Sequence, residues 1–479
     1  MPKQRDFLRH DLTALYAFID YIIGEEGHRE PSVAYGPAAS RFLGFVTELA
    51  TSCKDYIETW EVDDDEEYED RREELGTIRA AWKELHALIK PALDADTLRV
   101  PSAVVDGIVR RFKQLPNNGD AEFALFHSSE FNYVEVRTAD LGHIASKLRA
   151  IVPNAPQFPD KLGLIGIPYS QGKAAFSNCL IAHEIGHYVY RQQALDVLLR
   201  SKIDDSLSKT IDGYANKDEA KKGGMITEVI RWAEELFCDF FGTQLVGPAY
   251  SCAYIEAYDL YAVLDDDGNL SDERLLLRLD FYEKHPSHIY RLKQQAIFLQ
   301  ESSWWDHLDV FSSRFAGMLR TLIDLQLDDQ YKSLKLGELV PTLDSVIPEI
   351  KRAIGVAFTD VDDGFAEFQR LNPTVQQYLS NGIVPSTLIV RVGEKASDVE
   401  IMPVSPFVLL NSGVEFYLTQ IDSFMQSIKG ESLNNFSRRL HWIRRVEQWI
   451  SKAIEDQSLG VETINEHTDN GGNPATPQA

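Results

Sequence analysis

FSNCLIAHEIGHYVYRQQ, residues 176–193, is the stretch on which the reading of the chain turns. Its apolar residues recur at spacings of three and four, which predicts a helix. Within it, His183-Glu184-Ile185-Gly186-His187 sets two histidines four residues apart, so both imidazoles share one face and two ring nitrogens can bind one ion. Glu184 stands about 100° round the helix from His183, where its carboxylate reaches a water on that ion without being a ligand. That is the position of a general base. The bland alternative is two ordinary histidines on a half-buried helix. Against it, Phe176, Cys179 and Leu180 are apolar, which puts the helix inside its domain, where two histidines and a glutamate need a reason for burial.

A catalytic zinc takes three protein ligands and leaves a fourth position to water, so a third ligand has to come from elsewhere. The apolar segment TEVIRWAEELFCDFFGTQLV, residues 227–246, predicts a second helix in which Glu235 and Asp239 share a face. Carboxylates among bulky apolar residues are costly unless a metal or a histidine neutralises them. Glu235 is therefore the expected ligand. Asp239 is expected to accept the outer N–H of a zinc-binding histidine and set its tautomer. Glu234 competes for the ligand role but has no acidic partner one turn on. A third element, His285-Pro286-Ser287-His288-Ile289-Tyr290-Arg291-Leu292, reads on its own as a His-Pro turn entering a helix, with Arg291 pairing a carboxylate. Placed beside a metal, His285 becomes the donor to a developing oxyanion, with Tyr282 and His288 as alternatives.

Outward from these motifs the chain divides into an expected helical region 1–118, a mixed catalytic region 119–303, a helical region 304–456 with a small sheet, and a disordered tail 457–479. LTALYAFIDYII, SRFLGFVTELATSCKDYIETW and LGTIRAAWKELHALI carry the helical pattern of the first region. FNYVEVR (131–137) and LGLIGIPYS (162–170) are strand candidates, as are STLIVRV, VEIMPVS and VEFYLTQ near the C-terminus, before the helical FSRRLHWIRRVEQWISKAIED. The polar, lysine-rich stretch from Lys202 to Gly224 reads as a flexible insertion. LDDDGNLSDE (264–273) resembles a calcium loop only superficially: with Gly268 at the sixth position, Val263 falls at the first and Arg274 at the twelfth.

The 479 residues include 74 acidic and 48 basic side chains, a net charge of -26, which argues against nucleic acid or anionic lipid as partner. The acidic run Glu61 to Glu74 reads as a solvated loop or helix start. No apolar stretch approaches the roughly 20 residues of a membrane span, and the N-terminus does not read as a secretory signal, so a cytoplasmic protein is expected. Four scattered cysteines make no disulfide framework and are expected as buried thiols.

Taken together, the motifs resemble the gluzincin metallopeptidases. H-E-x-x-H followed by E-x-x-x-D, here Glu235 to Asp239, is similar to the thermolysin pattern, and Asp239-Phe240-Phe241-Gly242 through Leu245 and Pro248 resembles the ImmA/IrrE-type peptidases. His285-Pro286 with Arg291-Leu292 matches an element of the HtpX and CAAX-prenyl endopeptidase family, which accounts for all three pieces in order, although that family carries transmembrane helices. The resemblance covers about residues 160–295. It implies an α+β, mainly helical fold with a zincin-like domain between helical flanks. It also implies Zn2+ on His183, His187 and Glu235, with Glu184 and His285 catalytic and Asp239 and Arg291 behind the ligands. The implied activity is zinc-assisted hydrolysis of a protein or peptide substrate, open to a regulatory protein partner. LGLIGIPYS would, by analogy, be the edge strand that aligns an extended peptide. The rivals are an interaction or sensor protein that keeps the fold without cleaving anything, and a zinc hydrolase of small amides.

Overall fold

The computed structural model describes Ala17 and residues 36–469, apart from 61–64, 94–101, 129–133, 137, 169–173, 212, 264–284, 326–336, 360, 363, 392–398 and 428–435. Apart from Ala17, the expected helix over LTALYAFIDYII lies outside the described residues, as do the LDDDGNLSDE turn and Tyr282. The protein is mainly helical, with two small sheets. It divides into two compact units, one of residues 1–100 and 120–172, the other of 101–119 and 173–479.

In the first unit, α1 (Gly36–Glu58) and α2 (Asp65–Leu93) form because apolar residues fall on one stripe. Phe42, Phe45, Val46, Leu49, Cys53 and Ile57 of α1 meet Leu75, Ile78, Trp82 and Leu85 of α2 in one core. The described part of the acidic run opens α2, where carboxylates suit the positive end of a helix. Strands β1 (Glu122–Ser128), β2 (Val134–Val136) and β3 (Leu162–Pro168), with α4 (Thr138–Arg149) between the last two, complete the unit. For chain order, α3 (Ser102–Lys113) belongs to the second unit.

The sheet order is β1-β3-β2, with β1 parallel and β2 antiparallel to β3. This corrects the expected edge strand. LGLIGIP is the centre of its sheet, its backbone already paired on both sides, and every one of its residues is buried. A continuous apolar run rather than an alternating one is the mark of a strand covered on both faces.

The second unit is built round α7 (Glu219–Val246), against which pack α5 (Ile181–Gln192), α6 (Leu195–Thr210), α8 (Pro248–Ala257), α9 (His288–Gln300) and α11 (Val340–Ala357). From Glu235 to Thr243 every residue of α7 is buried, which is why its apolar character runs all round. A Cβ at Gly186 would lie 2.8 Å from the Cα of Cys238, so only glycine lets α5 and α7 approach this closely. Gly247, at φ 81°, reverses the chain from α7 into α8. Asn411 holds that turn, donating to the Val246 carbonyl and accepting from the Ala249 N–H.

Among the described residues, the stretch expected as a flexible insertion is instead mostly helical. Leu195, Leu199, Ile203 and Leu207 are buried at four-residue spacing along α6, and Asp218 caps α7 by accepting from the Lys221 N–H. The lysines that make the stretch look like a loop lie on the solvent side.

Farther on, α10 (Ser313–Asp324) and α12 (Phe365–Ser380) precede β4 (Thr387–Arg391) and β5 (Val399–Pro403), two of the expected strands, which pair antiparallel. VEFYLTQ, expected as a strand, belongs to α13 (Pro406–Thr419). Ser405 caps that helix and Pro406 opens it, and its middle is buried on all sides, so the apolar run carries no period. After α14 (Ile421–Ser427), the C-terminal α15 runs Phe436–Asp469, past residue 457 where a tail was expected. No helix among the described residues is long and apolar enough to cross a membrane.

Candidate metal centre

The expected helix over residues 176–193 begins as a 3-10 turn, Ser177–Leu180, and continues as α5. His183, Glu184 and His187 lie on it, Glu235 and Asp239 face them from α7, and Arg291 reaches in from α9. All of these are buried except His187, which is nearly so. Ser287 caps α9 by accepting from the Tyr290 N–H, so the His-Pro-Ser segment does enter a helix.

The two histidines are oriented alike. Nδ1 of His183 lies 3.1 Å from Asp239 Oδ1, and Nδ1 of His187 lies 2.9 Å from Glu234 Oε1. Each ring thus spends one nitrogen on a carboxylate. The other nitrogens turn toward Glu235: Nε2 of His183 is 3.4 Å from Oε2 and Nε2 of His187 is 3.8 Å from Oε1. Two ligands at zinc bond lengths and a tetrahedral angle stand about 3.3–3.4 Å apart, a spacing that the first of these distances matches and the second exceeds. A second grouping overlaps the first, since His183, His187 and Cys238 present donor atoms within 4.8 Å of one another. The chain therefore holds a buried two-histidine, one-cysteine group able to bind a metal ion.

Arg291 anchors the acidic side. Its Nε and Nη2 donate to the two oxygens of Asp239 at 2.7 and 2.8 Å, and Nη1 lies 2.9 Å from Glu235 Oε2. Burial alone would raise the pKa of both carboxyls, but the guanidinium overrides it and holds them well below the usual carboxylate range. Burial likewise opposes the charged form of His183, yet Asp239 and Glu235 push its pKa up to about 10. Burial and then four nearby carboxylates push the Cys238 thiol well above its ordinary value.

The charges do not balance among the fixed groups. Among the described residues, four carboxylates, Glu184, Glu234, Glu235 and Asp239, act on this space, against two guanidinium groups, Arg291 and Arg191. Two negative charges remain to be neutralised, either by protons on the histidines or by one divalent cation.

His285 is half-exposed, with Nδ1 3.3 Å from Glu235 Oε1. His288 stacks on Tyr258 with ring centroids 3.8 Å apart, and its Nδ1 meets the Tyr254 hydroxyl at 2.9 Å. Burial, reinforced by Arg291, lowers the His288 pKa to about 4 and keeps the ring neutral. No hydrogen bond or ion pair engages the buried Glu184 carboxylate among the described residues.

The structure thus gathers His183, Glu184, His187, Glu235, Asp239, His285 and Arg291 in one place. Sequence reasoning missed two neighbours, Cys238 and Tyr250, and gave a third, Glu234, another role. Glu234 was weighed as a ligand and is instead the partner of His187 and Arg191. Cys238, three residues after Glu235, shares its side of α7, a spacing visible in the sequence but not used. Tyr250 reaches Asp239 only through the Gly247 turn, which leaves no local signal. Compared with protein-family models, with curated proteins and with solved structures, the chain finds no match in any of the three.

Proposed function

We propose that the second unit is a zincin-like hydrolase that binds Zn2+ through His183, His187 and Glu235 and cleaves peptide bonds in protein or peptide substrates. One observation carries this reading: both histidines commit Nδ1 to a carboxylate and turn Nε2 toward Glu235. Paired outer carboxylates of this kind fix the imidazole tautomer that a metal needs. Glu235 is preferred over Cys238 because its carboxyl is already ionised, whereas the buried thiol must lose a proton in the field of four carboxylates. When bound, zinc would acidify a water molecule and polarise the scissile carbonyl.

The remaining work falls to the chain. Glu184, buried and unengaged among the described residues, takes the proton from the attacking water and returns it to the leaving amine. His285 holds the oxygen on which charge develops. While its Nδ1–H points to Glu235, its Nε2 donates only as the imidazolium, so that role needs a protonated ring. His288 is the alternative donor, neutral and with Nε2–H when Tyr254 donates to its Nδ1. Arg291 and Asp239 keep His183 and Glu235 in place.

A second reading, a metal-sensing protein that cleaves nothing, is favoured by Cys238, since a buried thiolate closes a site that catalysis needs open. Incubating zinc-loaded protein with an unfolded protein substrate and reading cleavage by mass spectrometry separates the two. New peptides that disappear on chelation and return with zinc are expected. Zinc bound without cleavage of any substrate offered would favour the sensor.

A further inference from the structure

Tyr250 is fully buried in α8, and its hydroxyl stands between two groups that compete for its proton. It lies 2.8 Å from Asp239 Oδ1 and 3.3 Å from His183 Nδ1. The choice decides what His183 can do. If the hydroxyl donates to Nδ1, a neutral ring must carry its proton on Nε2, and the lone pair that faces Glu235 is lost. If it donates to Asp239, the Nδ1–H of His183 can point to the same carboxylate at 3.1 Å, and in the neutral ring Nε2 is left with a lone pair. The shorter distance selects the second arrangement, and Arg291 strengthens it by holding both oxygens of Asp239 as acceptors.

Two backbone features put the hydroxyl there. The Gly247 turn sends α8 back along α7, and Gly242 leaves the space that the Tyr250 ring fills. A Cβ at position 242 would come within 2.6–2.8 Å of three atoms of that ring.

We propose that Tyr250 is a positioning residue of the metal centre: by donating to Asp239 across the space left by Gly242, it keeps His183 in the tautomer that binds metal and so sets the affinity for zinc. The inference rests on the zinc reading of the site and adds a residue that neither the ligand set nor the sequence motifs contain. Tyr250 touches no substrate. It acts through Asp239 and His183.

The test is zinc affinity, measured on metal-stripped full-length protein by competition with a chromogenic chelator, for wild type, Tyr250→Phe and Tyr214→Phe. Tyr214 is the control, because its hydroxyl also donates to an aspartate, Asp204 at 2.6 Å, away from the centre. Loss of a partner behind the ligands typically weakens metal binding about 10–100-fold, the expected effect of Tyr250→Phe, with Tyr214→Phe within about twofold of wild type. Gly242→Ala, which displaces the ring, should shift affinity in the same direction. Unchanged affinity in Tyr250→Phe would overturn the proposal, as would an equal loss in Tyr214→Phe, which would trace the effect to general loosening. If wild type itself binds no zinc, the metal reading fails and takes this inference with it; zinc bound equally by wild type and Tyr250→Phe refutes the inference alone.

Discussion

Glu184→Gln should lower peptide hydrolysis about 10²–10⁴-fold, the range that one positioned proton-transfer group contributes, while zinc content stays at the wild-type level. The substitution is nearly isosteric. Because no hydrogen bond or ion pair engages the Glu184 carboxylate among the described residues, little structure depends on its charge. What is lost is the ability to take a proton. Steady-state kinetics and metal analysis on one preparation read both effects, and turnover retained in the variant would remove Glu184 from the mechanism.

The second large effect is on stability. Arg291 is buried and serves two buried carboxylates, so Arg291→Met leaves Asp239 and Glu235 facing each other without their shared cation. Breaking a buried pair from one side costs about 3–5 kcal/mol. In a unit of this size that corresponds to a fall in Tm of about 4–7 °C. The loss should be larger in metal-stripped than in zinc-loaded protein, since a divalent ion restores part of the missing positive charge. Thermal unfolding with and without zinc reads the difference. A variant melting within about 2 °C of wild type would mean that the network contributes far less than buried ion pairs ordinarily do.

The grouping of the candidate site residues was legible where it is local. His183, Glu184 and His187 sit within five residues, and Glu235 and Asp239 are one helical turn apart, so a period of 3.6 places each set on one face before any tertiary contact is known. His285 and Arg291 were legible as a pair, but their meeting with Glu235 and Asp239 depends on how α9 packs against α7. Strand β3 was found and its place in the sheet was not, because sheet order is set by long-range pairing with β1 and β2. The helix α6 was hidden by its charged outer face. VEFYLTQ was hidden by the opposite condition, burial so complete that apolar residues show no period. The network round Asp239 has the same origin, since Tyr250 arrives by way of a glycine turn whose register no local pattern announces.

The central claim, that His183, His187 and Glu235 hold the ion, is tested most directly by metal content. Wild type, Glu235→Gln and Cys238→Ser would be purified without added metal and analysed by plasma emission spectrometry. About one zinc per chain is expected in wild type and in Cys238→Ser, with zinc lost from Glu235→Gln. Zinc kept by Glu235→Gln and lost from Cys238→Ser would contradict the account and make the centre a two-histidine, one-cysteine site instead.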